Sequence, residues 1–339
     1  MDVARLARVS QSAVSRTFTT GASVSDATRE RVISAAKTLG YRPNAMARSL
    51  ITKRSRIIAL VVSYLNNQFY PLVIETLSQK LQKQGYHVLM FISDDDKVDP
   101  VLDEILQYQV DGAVMASVTL SPDLARQCAD LGVPVVLFNR VPEVSECQTT
   151  CSVTSDNYGG GKMAATLLLE RGHTRIAFLA GLENSSTSLE RERGFNDVLQ
   201  KAGTCVFRRA VGHYSFEGAK QATRDLFSPL GDGPDAIFVA NDHMAIAAMD
   251  VLRQELGLRV PDEVSVMGFD DVPQAAWGAY RLTTVVQSVE KMVDFTIELL
   301  NEQMQQGGQP RNLVSSCQII ERDTVRPACV FPTNETTRS

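Results

Sequence analysis

Apolar residues recur along this chain at two different periods, and the change from one to the other falls at Ile57. Before it they come three and four apart. Val3, Leu6 and Ala7 predict a short amphipathic helix over residues 2–8. Val9-Ser10 predicts a turn, with Ser10 as N-cap of a second helix that runs to Thr17. In that helix Ala13 and Val14 face inward, leaving Gln11, Ser12, Ser15 and Arg16 outside. A third helix is predicted after Val24, capped by Ser25. Its buried stripe is Val32, Ile33, Ala36 and Leu39, and Gly40 stops it as a left-handed glycine. Three helices with so small a core depend on packing against one another.

From Ile57 the pattern becomes that of buried strands alternating with helices. IIALVV (57–62) is an unbroken β-rich run, as a parallel strand covered on both faces requires. Helices at 70–84, 98–108 and 121–131 alternate with strands at 86–92, 113–117 and 134–138. A second series starts at Gly159, with helices to Arg171 and at 188–202, 216–227 and 243–256. Its strands fall at 175–181, near 206–212, and at 236–240 and 264–269. This alternation predicts an α/β fold of two doubly wound lobes. The last helix, about Val289–Gln306, follows LTTVVQ (282–287), so the chain is expected to recross between lobes. Ligands of such sheets sit beyond the carboxyl ends of the strands, here in the cleft between lobes.

The 339 residues have room for two or three domains. Met1–Thr20 is broken by Asp2, Arg5, Arg8 and Arg16, so no signal peptide is read there, and no apolar run of about 18 residues spans a membrane. The expected compartment is the cytoplasm. Six scattered cysteines fit reduced thiols. Cys147 and Cys151 make a C-x3-C that no nearby Cys or His pair completes, so no metal is expected. Catalysis has little to stand on: His87, His173, His213 and His243 show no ligand or triad spacing, and Ser185-Ser186-Thr187 is not a nucleophile elbow. Gly159-Gly160-Gly161-Lys162 lacks the spacing of a phosphate loop and is read as the opening of a helix. No dinucleotide fingerprint follows a strand, and no cofactor is expected.

Charge changes the picture most. Residues 1–56 hold eleven Lys/Arg against three Asp/Glu, a balance of +8. The whole chain is −5, which leaves −13 for the remainder. A polyanion is drawn to one end of this molecule and repelled by the other. The first turn of the second helix, with Gln11 and Ser12, is the part a recognition helix pushes into the major groove. Gln pairs with an adenine edge, and Arg16 reaches a guanine or a phosphate.

VARLARVSQSAVSR, VSDATRERV and LGYRPNAMARSL, in this order and spacing, resemble the head and hinge of the lactose/galactose repressor (LacI/GalR) family of bacterial transcription regulators. The resemblance implies DNA contacts from Ser10, Gln11, Ser12, Ser15 and Arg16, and from a hinge helix carrying Asn44, Arg48 and Leu50. Leu50 would wedge between the central base pairs of a palindromic operator and kink them, as an apolar wedge does at a flexible step. Arg8 stands where the family often has glycine, Thr19-Thr20 replace the usual Asn, and the segment before the first helix is short. These departures bear on affinity and base preference more than on the fold.

The body resembles the family's effector-binding core through LNNQFY (65–70), SDNYGGGKMA (155–164), RGHTRIAFLAG (171–181), RERGF (191–195), ANDHMA (240–245), MGFDD (267–271) and LTTVVQ. The resemblance implies cleft residues Phe69, Tyr70, Asn139, Arg140, Arg191, Tyr214, Asn241 and Asp270. Asp and Asn grip vicinal hydroxyls and aromatic faces stack on a sugar ring. Arg140 and Arg191 suit a carboxylate or phosphate, and His213, where an acid is common, points the same way. The expected organisation is a helix-turn-helix head over residues 1–43 and a hinge helix and linker over 44–56. A core of periplasmic-binding-protein type fills 57–330, its lobes being 57–156 with 286–317 and 157–285 with 318–330. A polar tail, 331–339, ends the chain and has no leucine heptad.

The expected function is a homodimeric, ligand-controlled transcription regulator, most simply a repressor. It would bind a double-stranded DNA operator and a small-molecule effector: a sugar, sugar acid or sugar phosphate. The rival is a sugar-binding transport protein, opposed by the +8 head and the missing signal sequence. Salt discriminates between the two, since only a DNA-binding protein shows an affinity that falls steeply with ionic strength.

Overall fold

The computed structural model describes residues 2–19, 21–42, 54–63, 65–93, 99–116, 122–141, 150–229, 231–306 and 308–327. It divides into two compact units, Met1–Ser55 and Arg56–Ser339.

In the first unit α1 (Asp2–Ala7), α2 (Gln11–Thr17) and α3 (Asp26–Thr38) enclose Val3, Ala7, Val32, Ala35 and Ala36, with Val9, Val14 and Phe18 against them. Ser10 caps α2 by accepting the amide of Ala13 at 3.2 Å. Ser25 precedes α3 in extended conformation, but its hydroxyl donates to Thr28 Oγ1 at 2.9 Å instead of accepting a helix amide. The α3 stripe is narrower than its periodicity suggests. Ile33 and Leu39 are about half exposed, and the small Ala35 takes the inner position. Gly40 ends α3 at φ +61°; the amide of Tyr41 bonds to Ala36 O at 2.9 Å and that of Gly40 to Lys37 O at 3.3 Å. This pair of bonds is a Schellman motif. Arg8 closes α1 in the same way at φ +52°, with Val9 N on Ala4 O at 3.0 Å and Arg8 N on Arg5 O at 3.2 Å. An L-residue thus occupies a position that favours glycine.

The second unit contains two six-stranded sheets. The first has the order β11-β5-β4-β3-β1-β2 and the second β12-β10-β9-β8-β6-β7. The strands of the first are β1 (Ile57–Val62), β2 (His87–Ile92), β3 (Gly112–Ala116), β4 (Val135–Phe138), β5 (Cys151–Ser155) and β11 (Asn312–Ser315). Those of the second are β6 (Ile176–Ala180), β7 (Arg208–Val211), β8 (Ala236–Val239), β9 (Ser265–Asp270), β10 (Thr283–Val286) and β12 (Gln318–Ile320). All neighbours run parallel except the terminal pair β10 and β12. Central strands such as β1, β3, β6 and β8 are buried along almost their whole length, because helices cover both faces.

Around the first sheet lie α4 (Phe69–Lys83), α5 (Asp99–Gln107), α6 (Pro122–Asp130) and the late helix α11 (Val289–Gln306). Lys80 of α4 reaches Glu290 and Asp294 of α11 at 2.5 and 2.7 Å. The second sheet carries α7 (Asn157–Glu170), α8 (Ser186–Lys201), α9 (Phe216–Leu226) and α10 (Asp242–Asp250). The glycines expected to open a helix lie inside α7, which starts two residues earlier under an Asp156 cap. They serve packing: a Cβ on Gly161 would overlap Arg191 O, and one on Gly194 would overlap Tyr158 O, so α7 and α8 meet backbone to backbone. The helix expected over 243–256 changes character midway. Its α-helical part ends at Asp250, and Val251–Glu255 form a π-helical turn. The chain passes between sheets three times, between β5 and β6, after β10, and between β11 and β12.

Candidate effector cleft and DNA-facing helix

Every residue that lines a cleft in the second unit follows the carboxyl end of a strand. From the first lobe come Asn67, Phe69 and Tyr70 after β1, and Asn139 and Arg140 after β4. From the second come Thr187 and Arg191 on α8 after β6, Tyr214 after β7, Asn241 after β8, and Asp270 at the end of β9. The cleft holds about 310 Å³, its open mouth included. All eight cleft residues expected from the sequence meet here. Asn67 and Thr187 were not anticipated: both are short polar residues in a turn or first helical turn, and only their place after a strand could have marked them. His213 lies exposed at φ +54° and does not line the cleft.

Arg191 organises the inner wall. It is 2% exposed, and its guanidinium stacks on Phe269 with 3.6 Å to the ring centroid. Nε donates to Asn157 Oδ1 at 2.8 Å, Nη1 donates to the carbonyl of Ala240, and the Asp270 carboxylate lies 3.6 Å away. Asp270 also accepts from Gln287 Nε2 at 2.6 Å, and Gln287 in turn accepts from Ser155 Oγ at 2.7 Å. Burial raises the Asp270 pKa to about 8; Arg191 and Gln287 pull it down and the charge of Asp242 pushes it further up. Asp242 is buried completely, and accepts from Thr284 Oγ1 at 2.6 Å and from the Val272 amide at 3.0 Å.

The outer walls are set by strained backbone. Asn139, Tyr214 and Asp270 hold φ of +59°, +54° and +128°. Such conformations cost about 1–3 kcal/mol each for residues other than glycine and cluster where a site must be held in one geometry. Gly181 makes room for the Tyr214 ring, which a Cβ there would penetrate. Phe69 and Tyr70 are almost wholly buried, with centroids 5.4 Å apart edge to face and Phe69 also 6.4 Å from Phe138. They belong to the core as much as to the cleft, rather than standing out as free stacking faces.

Two polar atoms of the lining are buried with no partner among the described residues, Asn139 Oδ1 and Asn241 Nδ2. Their sister atoms are engaged: Asn139 Nδ2 donates to Tyr70 OH at 3.3 Å, and Asn241 Oδ1 accepts from the Met244 amide at 3.0 Å. The cleft thus presents one acceptor and one donor whose partners must come from a ligand or water. Arg140 Nη1 donates to Asn139 O at 2.8 Å and to Thr187 Oγ1 at 3.3 Å, the latter across the cleft.

In the first unit, Ser10, Gln11, Ser12, Ser15 and Arg16 are all exposed on one short helix and its cap. Ser10 and Ser12 hydroxyls lie 2.9 Å apart, and Arg16 Nε bonds to Ser12 O at 3.3 Å. Asn44, Arg48 and Leu50 lie outside the described residues. No cluster of metal-ligating side chains occurs among the described residues, and no helix among them is long and apolar enough to cross a membrane.

A basic helix-turn-helix head joined to a two-lobed, cleft-bearing core is the make-up of a ligand-responsive DNA-binding regulator. Residues 1–44 match the model for bacterial regulatory proteins of the lacI family, and residues 165–325 match that for periplasmic binding protein-like domains. The transcriptional regulator CelR of Thermobifida fusca is 36% identical over 299 residues, covering 86% of this chain and 87% of CelR. The transcriptional repressor PurR of Vibrio cholerae is 30% identical over 331 residues, covering 96% and 97%. Among solved structures, a CelR–cellobiose complex aligns with TM-score 0.72 at 32% identity over 95% of this chain and 98% of that one. The Lac repressor dimer bound to operator and the anti-inducer ONPF aligns with TM-score 0.84 at 26% identity, covering 96% and 98%. The chain belongs to the LacI family of bacterial transcription regulators.

Proposed function

We propose that this regulator is a repressor that binds a palindromic operator as a homodimer and answers to a sugar or sugar derivative held in the inter-lobe cleft. Ser10, Gln11, Ser12, Ser15 and Arg16 read the major groove, and Asn44, Arg48 and Leu50 act in the minor groove, with Leu50 as the wedge. Residues 44–56 form the hinge and linker, and the cell compartment is the cytoplasm. No catalytic role is assigned to any residue.

The observation that carries the effector reading is the pair of unpartnered polar atoms, Asn139 Oδ1 and Asn241 Nδ2, on opposite walls of one cleft. A hydroxyl-bearing ring supplies both the donor and the acceptor they lack, and the carboxyl of Asp270 lies in the same lining. The cellobiose found with a relative supports a sugar. Arg140 and Arg191 extend the class to sugar acids and phosphates. Ligand binding shifts lobe closure, and the effector moves DNA affinity only by its differential affinity for the two states.

A thermal-shift screen against neutral sugars, sugar acids, sugar phosphates and purines tests the reading. A ligand at 100 times its Kd adds about 2.7 kcal/mol of stability, which such a screen detects. A hit that disappears in Asn139→Ala supports the cleft; a hit retained in that variant and in Asn241→Ala places the ligand elsewhere.

A further inference from the structure

A hydrogen bond joins the two walls of the cleft through residues that do not line it. His243 Nδ1 lies 3.0 Å from Gln68 Oε1. Gln68 stands between Asn67 and Phe69 in the first lobe, and His243 is the second residue of α10, two beyond Asn241 in the second. An amide oxygen only accepts, so the imidazole donates and carries its hydrogen on Nδ1. The ring is 8% exposed and is steadied by Phe216, with centroids 5.5 Å apart. Burial lowers its pKa and favours the neutral form.

Two further bonds span the cleft among the described residues: Arg140 to Thr187 Oγ1 at 3.3 Å, and the Val141 amide to Ser186 Oγ at 3.4 Å. Both are longer, and the first belongs to groups that face the ligand space, so a ligand competes for it. The Gln68–His243 bond sits beside the lining and remains available when the cleft is filled.

We propose that Gln68 and His243 form a latch that holds the two lobes closed, and that these positioning residues set how readily the cleft opens to admit and release its effector. The functional meaning rests on the reading of the cleft as the effector site, whereas the latch itself concerns the lobes alone. Loss of one neutral hydrogen bond raises the open-to-closed ratio about two- to tenfold. A ligand that selects the closed form then binds more weakly by up to the same factor.

The test uses the full chain with one spin label on each lobe, its inter-lobe distance distribution measured without ligand. Gln68→Ala and His243→Ala should each move population toward longer distances, about two- to tenfold in the open-to-closed ratio. The double variant should go no further than either single one, since the two share one interaction. Gln68→Glu still accepts from Nδ1 and should keep the wild-type distribution. Melting curves run beside each variant separate opening from unfolding; if His243→Ala does not fold, the half-buried Gln68 carries the test. Distances that do not respond, or single effects that simply add, overturn the latch. Should the effector reading fail instead, no sugar would bind the wild type while the label distances still responded.

Discussion

Gln287 donates from Nε2 to Asp270 Oδ1 across 2.6 Å and accepts from Ser155 Oγ at 2.7 Å. Ser155 ends β5 just before one passage of the chain between sheets, and Gln287 follows β10 at another. A carboxyl of the cleft is therefore tied to two of the three places where the lobes can bend. Gln287→Leu takes the amide donor from Asp270 in a buried setting and leaves Ser155 Oγ to Met292 Sδ at 3.1 Å. An orphaned buried group costs about 1–3 kcal/mol. Urea denaturation should show a loss in that range; a change below about 0.5 kcal/mol, the ordinary surface-substitution level, would mean the relay is not energetically significant.

The pH dependence of stability follows from Asp270. Its pKa is raised by burial to about 8, against 3.8 for an ordinary aspartate. Between those values the folded chain keeps a proton that the unfolded chain has lost, so this group's contribution is greatest below 3.8 and declines as pH rises toward about 8. Asp270→Asn is neutral throughout and should lack that decline. A wild-type-minus-variant difference that stays flat from pH 4 to 8 would show instead that Asp270 is ionised beside Arg191.

Arg191 is buried with its guanidinium held by Asn157, the Ala240 carbonyl and the face of Phe269, so Arg191→Met should do two separable things. It leaves Asn157 Oδ1 and the Ala240 carbonyl without their donor, and each orphaned buried group costs about 1–3 kcal/mol. It should also abolish the effector response while leaving operator affinity intact at temperatures where the variant is folded. Calorimetric melting and operator titration check the two halves, and a variant that still responds fully would remove Arg191 from the site.

Arg8 holds φ +52° at the end of α1, where a glycine meets no Cβ penalty. Arg8→Gly should stabilise the head by about 0.5–1 kcal/mol, once the glycine's extra freedom when unfolded is subtracted. Amide exchange of Val3–Ala7 in the full chain should slow accordingly. Faster exchange would mean that the arginine side chain contributes more than its backbone costs.

The head makes salt a direct probe of DNA binding. The logarithm of operator affinity should fall linearly with that of salt concentration, with a slope of about −0.9 per phosphate neutralised. Arg16→Ala should reduce that slope by about one if Arg16 holds a phosphate, or relax one base position if it reads guanine. Leu50→Ala should weaken operator binding and leave the DNA less bent; unchanged affinity and unbent DNA in the wild type as well would remove the wedge.

Much of this architecture was legible because local signals agreed with the tertiary arrangement. Ser10 and Gly40 punctuate their helices by their own chemistry, and IIALVV could only be a strand covered on both sides. β5 escaped because CSVTS is polar in sequence yet buried; Ser152 and Ser155 satisfy their hydroxyls on Asn312 and Gln287, partners far along the chain. β11 and β12 are short edge strands with no run to mark them. Ile33 and Leu39 were misplaced because a helical stripe gives the direction of a core but not its width. The expected cleft residues came from the family resemblance, and the structure gathers them beyond the strand ends, with Arg191 farther on, within α8. What the sequence did not reveal was pairing: Gln68 with His243, and Gln287 with Asp270, join residues well separated along the chain.

The most direct test of a cleft that controls DNA binding is a fluorescence-anisotropy titration of a palindromic duplex, selected with the wild-type protein, with and without a panel of sugars, sugar acids and sugar phosphates. At least one ligand should shift operator affinity by about 5- to 150-fold, the usual range of allosteric coupling. The shift should vanish in Asn139→Ala and Arg191→Met. A ligand that shifts operator affinity equally in wild type and both variants would contradict the assignment of control to this cleft.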